Sequence, residues 1–308
     1  MTDGVEAGEA TVGVDIGGTK IRAAVVTPDG EVLASATAPT PSGGEVMLDV
    51  AADLVTRVTA SAGVPVSAVG VGAAGVVDPR TGEVLAASDT FVGWVGTNLR
   101  AGLASRTGLR ATAANDVDSF LVGEATWGAV RGVESAAGIA LGTGVGGALW
   151  LDGALYRGAG AAGEIGHMPG FGDARCTCGQ RGHLETLASG RSVQRRYAEL
   201  VGSAEAQGVG ATEIEARARA GDQVAARVFA DAGHAVGSAV LVVAALLDVG
   251  HVVVGGGLAR AWDLVEPALL ARLREEPPVS GHVIEVRRAT LGGDATVVGA
   301  AALARRSM

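Results

Sequence analysis

Two glycine-rich turns lie at corresponding places in the two halves of this chain. The first, DIGGTK, covers residues 15–20, and the second, LGTGVGG, covers residues 141–147. Apolar segments predict a strand on each side of each turn, and reversals at residues 28–30 (PDG) and 152–153 (DG) lead into a third strand. Because glycine lets backbone N–H groups approach an anion that side chains would block, the repeated unit predicts two phosphate-binding turns.

Glycine is so frequent in this chain that a single glycine pair indicates little. The sequence has 49 glycines in 308 residues, which is roughly double the usual share of about 7%. Either turn alone could be an ordinary hairpin, but the matched strands around both favour phosphate binding. Lys20, which ends the first turn, is the single lysine of the chain. A third glycine run, residues 255–257, is either a plain strand-to-helix connection or a surface for adenosine.

The composition argues against several classes of protein. A length of 308 residues is enough for about two domains with apolar cores. A net charge of −9, with no basic cluster beyond arginine pairs, argues against a nucleic-acid partner. The acidic residues 1–10 contain no apolar stretch, so we expect neither a secretory signal nor a transit peptide and expect a cytoplasmic protein. The longest apolar run, residues 235–247, is too short to cross a bilayer and predicts a buried helix with no membrane role.

Strand and helix patterns alternate along most of the chain. In the first half, helices are predicted over residues 46–60, 99–107 and 118–129, and strands over residues 68–75 and 109–114. In the second half, helices are predicted within residues 189–247, 261–274 and 294–305, and strands over residues 251–254 and 283–289. The charged stretch 212–220 (TEIEARARA) is typical of a solvated helix face. Between the second repeat and these helices lies a glycine-rich insertion, residues 158–182, and connections of that length commonly carry function.

Asn115 and Asp116 follow the strand that ends at residue 114. On sequence alone, the simpler interpretation is that this pair caps the next helix. The functional interpretation is that Asp116 accepts a proton from a hydroxyl group during phosphoryl transfer, which requires a carboxylate in line with the terminal phosphate. The position of the pair between the two glycine turns is compatible with that role.

Both cysteines of the chain lie in the insertion, beside two histidines. Cys176 and Cys178 are one residue apart, so a disulfide between them would be strained. Together with His167 and His183 they supply two sulfur and two nitrogen ligands within 17 residues, the number and type that tetrahedral zinc requires. The alternative is two buried thiols and two surface imidazoles. Glu164 and Glu185 flank this group and are not needed as ligands.

Six motifs in order make this chain resemble the ROK family, which comprises sugar kinases and related repressors. The motifs are DIGGTK, the Asn115-Asp116 pair, LGTGVGG, EIGH at residues 164–167, CTCGQRG followed by Glu185, and the late GGG. The resemblance covers nearly the whole chain. It implies an α/β protein with the actin-like ATPase (ribonuclease H-like) fold, in which two similar domains enclose a cleft for ATP. The expected domains are residues 1–115, completed by a C-terminal helix at about 295–308, and residues 116–294, with a zinc-binding insertion at about 158–185.

The resemblance also implies ATP-dependent phosphorylation of a hexose, with glucose to glucose 6-phosphate as the first choice and Asp116 as the general base. It further implies that Asp15 holds Mg²⁺ through water, that Lys20 lies near the phosphates, and that a structural Zn²⁺ leaves one ring nitrogen of His167 to face the sugar. A homodimer or homotetramer is expected. The implied sugar-binding residues are Gly75, Asn115, Asp116, Glu164, His167 and Glu185; the implied ATP-binding residues are Asp15, Gly17, Gly18, Thr19, Lys20, Gly142, Thr143, Gly144, Gly256 and Gly257; the implied zinc ligands are His167, Cys176, Cys178 and His183.

Three departures from the family pattern bear on substrate and metal. His183 stands where the family usually has a third cysteine, so the expected zinc ligands are two cysteines and two histidines. Ala113-Ala114 replaces the Val-Glu common before the base in glucokinase-like members. The segment 86–94 (AASDTFVGW) lacks the asparagine that many glucose-specific members have before Gly-Trp. The alternatives to glucose are N-acetylmannosamine, N-acetylglucosamine, fructose or allose, and the alternative donor is polyphosphate.

A different class of function is a sugar-sensing member of the family without catalysis. Repressors of the family carry a winged helix ahead of the first hairpin, which needs on the order of 60 residues. The hairpin is predicted to begin near Thr11, so we expect no DNA-binding domain there. A catalytically silent sugar-binding protein is disfavoured by the intact Asn115-Asp116 pair.

Overall fold

The computed structural model describes residues 9–88, 91–202 and 206–306. The acidic segment up to residue 8, and Asp89 and Thr90 of the segment before Gly93-Trp94, lie outside the described residues. The expectations placed on those positions therefore stay predictions.

The described residues form strands and helices close to the predicted ones. The strands are β1 (Ala10–Ile16), β2 (Lys20–Val26), β3 (Val32–Pro39), β4 (Val66–Ala73), β5 (Val76–Val77), β6 (Val84–Ala86), β7 (Arg110–Asn115), β8 (Ala136–Leu141), β9 (Val145–Leu151), β10 (Ala154–Tyr156), β11 (His251–Gly255) and β12 (Glu285–Arg288). The helices are α1 (Gly44–Ala62), α2 (Leu99–Thr107), α3 (Asp116–Thr126), α4 (Glu185–Ala188), α5 (Gly190–Val201), α6 (Ala211–Arg219), α7 (Gln223–Leu247), α8 (Trp262–Glu275) and α9 (Ala295–Arg306).

The first sheet has the strand order β3-β2-β1-β4-β7. β1, β2 and β3 pair antiparallel, whereas β4 and β7 run parallel to β1. Alternate residues of β1, such as Val12, Val14 and Ile16, are fully buried, because both faces of the sheet are covered by helices. This arrangement places the carboxyl ends of β1, β4 and β7 at one edge of the sheet.

Small residues let helix α9 lie directly on this sheet. A Cβ added to Gly13 of β1 would lie 1.8 Å from the carbonyl oxygen of Val297, and one added to Gly70 of β4 would lie 1.8 Å from that of Ala300. The same helix meets α3, where a Cβ on Gly299 would lie 1.7 Å from the carbonyl oxygen of Ser119. The small-residue composition predicted for the last helix is therefore a requirement of backbone-to-backbone packing.

The second sheet has the strand order β10-β9-β8-β11-β12. β8, β11 and β12 run parallel, and β9 and β10 form the antiparallel hairpin predicted from Asp152-Gly153. The two-residue turn of this hairpin is confirmed, because Asp152 (φ 52°) and Gly153 (φ 74°) both adopt left-handed conformations.

Helix α7 is longer than its apolar run suggested. It has 25 residues, and by length and composition alone it could cross a membrane, although half of its most apolar window is buried in the protein. Val228, Phe229 and Val236 are among its fully buried residues, and α8 packs along it. The helix resembles the core helix of a folded domain because it is buried, and not because it is short.

Contacts within the chain define two compact units. The first contains the described residues up to Glu134, Leu149–Ala162 and the segment from Thr290 onwards; the second contains Ser135–Ala148 and Gly163–Ala289. These units differ from the expected domains mainly because α3 packs against α9 and so lies in the first unit. The assignment of functional domains stays a prediction.

A buried carboxylate, Glu124, ties α3 to the segment that precedes α9. Its side chain is fully buried, and its two oxygens accept hydrogen bonds from the backbone N–H groups of Ala129 (2.7 Å), Thr290 (3.2 Å) and Leu291 (2.9 Å), and from the Thr290 hydroxyl (3.2 Å). The sequence analysis did not identify this residue, because its partners at residues 290–291 are far away in the chain.

We expect Glu124→Ala to lower the free energy of unfolding of the first unit by about 3 kcal/mol or more, because several donors lose a charged acceptor and a cavity forms. Glu124→Gln, which keeps one acceptor oxygen, should lose less. Urea denaturation followed by circular dichroism measures both, with Glu134→Ala, at an exposed position of the same unit, as the control. Equal stability of the Ala variant and the wild type would contradict this structural role.

Candidate active site

The first unit brings eight of the expected site residues to one edge of its sheet. Asp15 lies near the end of β1, opposite Gly72 of β4, and Ala73 of β4 is opposite Asn115 at the end of β7. Asp116 follows directly as the first residue of α3. Since the carboxyl ends of parallel strands meet at one edge, Asp15, the first glycine turn, Gly75, Asn115 and Asp116 are neighbours there.

Two carboxylates face each other at this edge. Burial, and secondly the nearby charge of Asp116, raise the pKa of Asp15 from 3.8 to about 7, while Lys20 and Arg22 act in the opposite direction. A pair of close carboxylates with one raised pKa favours a bound cation. Carboxylate oxygens are ligands that Mg²⁺ accepts, so the donor set fits that ion.

The raised pKa of Asp15 predicts a pH-dependent stability. Below pH 3.8 the carboxyl group is protonated in both the folded and the unfolded chain, whereas between pH 3.8 and about 7 the folded state binds the proton more tightly. The free energy of unfolding of the wild type, relative to that of Asp15→Asn, should therefore fall as pH rises through this window, by on the order of 4 kcal/mol in total.

This dependence can be measured by urea denaturation of both proteins in metal-free buffer at a series of pH values. Asp53→Asn, at a side chain that is 66% exposed, serves as the control and should show no comparable dependence. A constant difference between wild type and Asp15→Asn from pH 4 to about 7 would contradict the assignment.

The first glycine turn is held in place by backbone hydrogen bonds and one hydroxyl. The N–H of Gly17 donates to the carbonyl of Lys20 (3.1 Å), and the hydroxyl of Thr40 donates to the carbonyl of Gly17 (2.6 Å). Gly18, Thr19 and the Lys20 residue are exposed. The turn thus presents backbone to solvent, as a phosphate site requires. Thr40 was missed in the sequence, because its contact with the turn depends on the pairing of β2 with β3.

Asn115 is a helix cap and also binds Gly75. Its Oδ1 accepts hydrogen bonds from the N–H groups of Val117 (2.7 Å) and Asp118 (3.3 Å), and its Nδ2 donates to the carbonyl of Gly75 (2.9 Å). The cap explains why α3 starts at Asp116, two residues earlier than predicted. With both acceptor positions in use, Asn115 retains one amide hydrogen that can donate to a ligand.

Gly75 could not be replaced without strain. Its φ is 109°, a conformation that favours glycine, and an added Cβ would lie 2.5 Å from the carbonyl oxygen of Ala86. The hairpin of β5 and β6 therefore turns back immediately after β4 and holds the Gly75 carbonyl against Asn115.

The second unit brings its glycine turn together with Glu185. The N–H of Gly142 donates to the carbonyl of Gly144 (2.9 Å), and the N–H of Val145 donates to Oε2 of Glu185 (3.0 Å). Oε1 of Glu185 accepts from the Thr177 hydroxyl (2.6 Å). Glu185 thus links the cysteine-containing loop to the second turn, and Thr177 is a partner that sequence analysis did not identify.

The expected metal ligands converge in the same unit. One ligand atom from each of His167, Cys176, Cys178 and His183 lies within 4.8 Å of the others. The Cys178 sulfur is 3.4 Å from Nδ1 of His183, close to the separation of about 3.5 Å that two ligands of a tetrahedral zinc ion would have. Cys176 and His183 are buried, and burial raises the pKa of the Cys176 thiol. The donor set and spacing fit Zn²⁺.

His167 has a second partner that the sequence analysis did not assign. Its Nδ1 lies 3.0 Å from Oε2 of Glu164, and this hydrogen bond raises the pKa of His167. Nδ1 is thus occupied by Glu164, and the expected contact of a ring nitrogen with the sugar stays a prediction. A carboxylate on one nitrogen of a histidine fixes the tautomer, and so prepares the other nitrogen as a metal ligand.

The late glycine run lies beside β8. Gly256 has a φ of 90°, and an added Cβ would lie 2.5 Å from the carbonyl oxygen of Leu141, the first residue of the second glycine motif. The short 3-10 turn Gly257–Ala261 then leads into α8. Both glycine runs of this unit therefore lie at the ends of the neighbouring parallel strands β8 and β11.

Comparison with known proteins identifies relatives along the full chain. The ROK family model matches residues 11–307. A glucokinase of Streptomyces coelicolor is 35% identical over 96% of this chain and 97% of its own length. An N-acetyl-D-glucosamine kinase of Haemophilus influenzae is 31% identical over 94% of this chain and 98% of its own length.

A solved structure is also similar throughout. A ROK family glucokinase from Streptomyces griseus, in complex with glucose and AMPPNP, superposes with a TM-score of 0.84 and 34% sequence identity, covering 96% of this chain and 99% of that one. This similarity confirms the predicted actin-like ATPase fold.

Proposed function

Because this chain belongs to the ROK family and is a sugar kinase of that family, we propose that it transfers the terminal phosphoryl group of ATP to a hexose, with glucose as the acceptor and glucose 6-phosphate as the product. The observation that carries the proposal is the edge of the first sheet, where Asp15, the first glycine turn and Asp116 are adjacent.

Asp116 is the proposed general base. It follows β7 directly and lies close enough to Asp15 for the two charges to interact. A carboxylate that accepts the hydroxyl proton as the oxygen attacks phosphorus has this kind of position at a strand end. The backbone N–H of Val117, which lies 3.0 Å from Oδ1 of Asp116, helps to hold the carboxylate.

The proposed sugar ligands are hydrogen-bonding groups that are already held by neighbours. Asn115 is fixed by Gly75 and by the start of α3, and it can donate its remaining amide hydrogen to a sugar hydroxyl. Glu164 and Glu185 are each fixed by one or more partners, and both keep acceptor capacity for hydroxyl groups. Preorganised ligands of this kind lose little entropy when the sugar binds.

We propose that His167, Cys176, Cys178 and His183 hold a structural Zn²⁺. When bound, the ion would crosslink the loop through its four ligands, and it would take no part in proton transfer. His167 then acts on the sugar through Glu164, whose carboxylate it orients by the hydrogen bond to Nδ1. The expected direct contact between His167 and the sugar stays a prediction.

ATP is the proposed donor. Gly18, Thr19 and Thr143 are exposed, and Gly17, Gly142 and Gly144 are half-buried. The N–H groups of Gly17 and Gly142 hold the turns in shape, so the N–H groups of the neighbouring turn residues are the ones proposed to meet phosphate oxygens. Thr143 and the charge of Lys20 are assigned to the same phosphates, and Gly256 and Gly257 to the adenosine. Mg²⁺ would be held by Asp15 and would neutralise phosphate charge.

A second acceptor class is supported by one of the relatives. The similarity to an N-acetyl-D-glucosamine kinase makes an N-acetylated sugar the main alternative to glucose. The two substrates differ at the 2-position, where an acetamido group replaces a hydroxyl group, so discrimination depends on the space beside the sugar ligands.

A coupled assay of ADP release tests the proposal. Glucose, mannose, fructose, allose, N-acetylglucosamine and N-acetylmannosamine are compared at equal concentrations with ATP. Glucose with polyphosphate is followed instead by formation of glucose 6-phosphate, because that donor yields no ADP. The highest kcat/KM is expected for glucose with ATP. A higher kcat/KM for an N-acetylated sugar would show that this sugar, and not glucose, is the preferred acceptor. The absence of turnover with every acceptor would contradict the proposed kinase activity.

A further inference from the structure

A cavity with three arginines lies in the first unit, on the opposite part of β7 from Asp116. Its volume is about 370 Å³, at the lower end of the range of roughly 300 to 1,000 Å³ typical of small-molecule sites. β7 is the last strand of its sheet, so one of its sides is not paired with another strand. The cavity lies there and is closed by the turn between β5 and β6 and by the end of α9.

The arginines reach the cavity from three separate elements. Arg100 comes from α2, Arg110 from the start of β7, and Arg157 from the segment after β10. Among the residues that the structure describes, no carboxylate oxygen lies within 4.0 Å of their guanidinium nitrogens. In contrast, Arg22, Arg106 and other arginines of the unit form ion pairs.

One carboxylate of the adjoining turn is already engaged. Asp78 accepts hydrogen bonds from the backbone N–H groups of Arg80 (2.7 Å) and Thr81 (3.2 Å), which lower its pKa. It therefore stabilises its own turn and does not balance the charge of the cavity. Three guanidinium groups around one concave surface create a local positive potential in a chain whose net charge is −9.

A neutral donor in the same cavity also lacks a partner. The hydroxyl oxygen of Thr112, on β7 between Arg110 and the catalytic end of the strand, is buried and has no hydrogen-bond partner among the described residues. Because this oxygen is not open to the cavity, it does not itself indicate a ligand, and the three arginines carry the inference.

We propose that this cavity binds a small phosphorylated anion. Arginine recognises phosphate through paired hydrogen bonds, and three arginines match the oxygens of a terminal phosphate group. Ala68, Pro79 and Leu303 line the remaining space. With a volume of about 370 Å³, the cavity has room for a group of about the size of a hexose beside the phosphate, so by size a sugar phosphate fits it better than a nucleoside triphosphate. The site is separate from the proposed reaction and does not depend on it.

Calorimetric titration tests this site, with inorganic phosphate and glucose 6-phosphate as the two probes. Wild type is compared with the double variant Arg110→Gln/Arg157→Gln, in protein saturated with glucose and AMPPNP so that the proposed substrate sites are filled. The matched control is Arg57→Gln, which removes an exposed arginine of the same unit from outside the cavity.

The double variant should bind each probe at least about tenfold more weakly, because it loses charge-assisted hydrogen bonds, and Arg57→Gln should bind like wild type. Tighter binding of glucose 6-phosphate than of phosphate would identify a sugar phosphate; equal binding, lost in the double variant, would show that the phosphate group alone is recognised. The proposal would be overturned by unchanged affinity in a folded double variant or by an equal loss of affinity in Arg57→Gln. It would also be overturned if wild type bound neither probe at millimolar concentrations. Thermal denaturation and turnover without added anion, expected to be unchanged, establish that the double variant is folded.

Discussion

Asp116→Asn should lower kcat by about 10²- to 10⁴-fold, which is the usual contribution of a general base. Asparagine has nearly the same shape and keeps an oxygen near the N–H of Val117, but it cannot accept the proton of the attacking hydroxyl group. Since Asn115, and not Asp116, makes the hydrogen bond to Gly75, the sugar-binding edge should persist in the variant. Sugar affinity should therefore change by only a few fold.

Steady-state kinetics and equilibrium sugar binding separate these two effects. Asp116→Ala should show a similar loss of kcat, and Asp53→Asn, an exposed aspartate of the same unit, should leave kcat unchanged. Turnover of Asp116→Asn within about tenfold of wild type, a far smaller loss than removal of a general base causes, would exclude Asp116 from its assigned role. Loss of sugar binding together with kcat would show instead that Asp116 mainly maintains the site.

Removing the proposed zinc site should have the second large effect. Structural zinc contributes on the order of 10 kcal/mol to the folding of small zinc-dependent domains, and here the four ligands fix residues 167–183 against Glu164 and Glu185. We expect about one zinc ion per chain in the purified protein. The variants Cys178→Ser and His183→Gln should lose it, expose the loop to proteases, and weaken sugar binding at least tenfold, since two sugar ligands lose their supports.

Elemental analysis, limited proteolysis and sugar titration measure these outcomes. His282→Gln is the matched control, because His282 is an exposed histidine of the same unit outside the cluster. Prolonged treatment of wild type with a chelator should reproduce the effects of Cys178→Ser. Undegraded wild type that contains no zinc, or Cys178→Ser with full sugar affinity, would contradict the assigned site.

Much of the candidate site could be predicted because its residues form short local motifs. Each motif is short: the glycine turns and the Asn115-Asp116 pair span a few residues, and the four proposed zinc ligands span 17 residues. Their chemistry can therefore be predicted from the sequence. The helix at residue 116 also began close to its predicted place, since the cap residue Asn115 is local.

Other features could not be predicted because they join distant segments. Glu124 meets residues 290 and 291, Thr40 meets Gly17, and Asn115 meets Gly75, each through strand order or helix packing. The contact between Glu164 and His167 is local, but whether a histidine nitrogen meets a carboxylate or a ligand depends on side-chain orientation, which spacing does not specify.

The amino-acid sequence alone determined the candidate groups for the chemistry and the family that the chain resembles, because the motifs for phosphate and metal binding are encoded by residue type and short spacing. Tertiary structure alone decided how those groups are held and where Arg100, Arg110 and Arg157 meet. The physical reason is that hydrogen bonds and burial depend on distances in space. The pairing of β4 with β7 and the packing of α9 bring together residues separated by up to 290 positions in the chain.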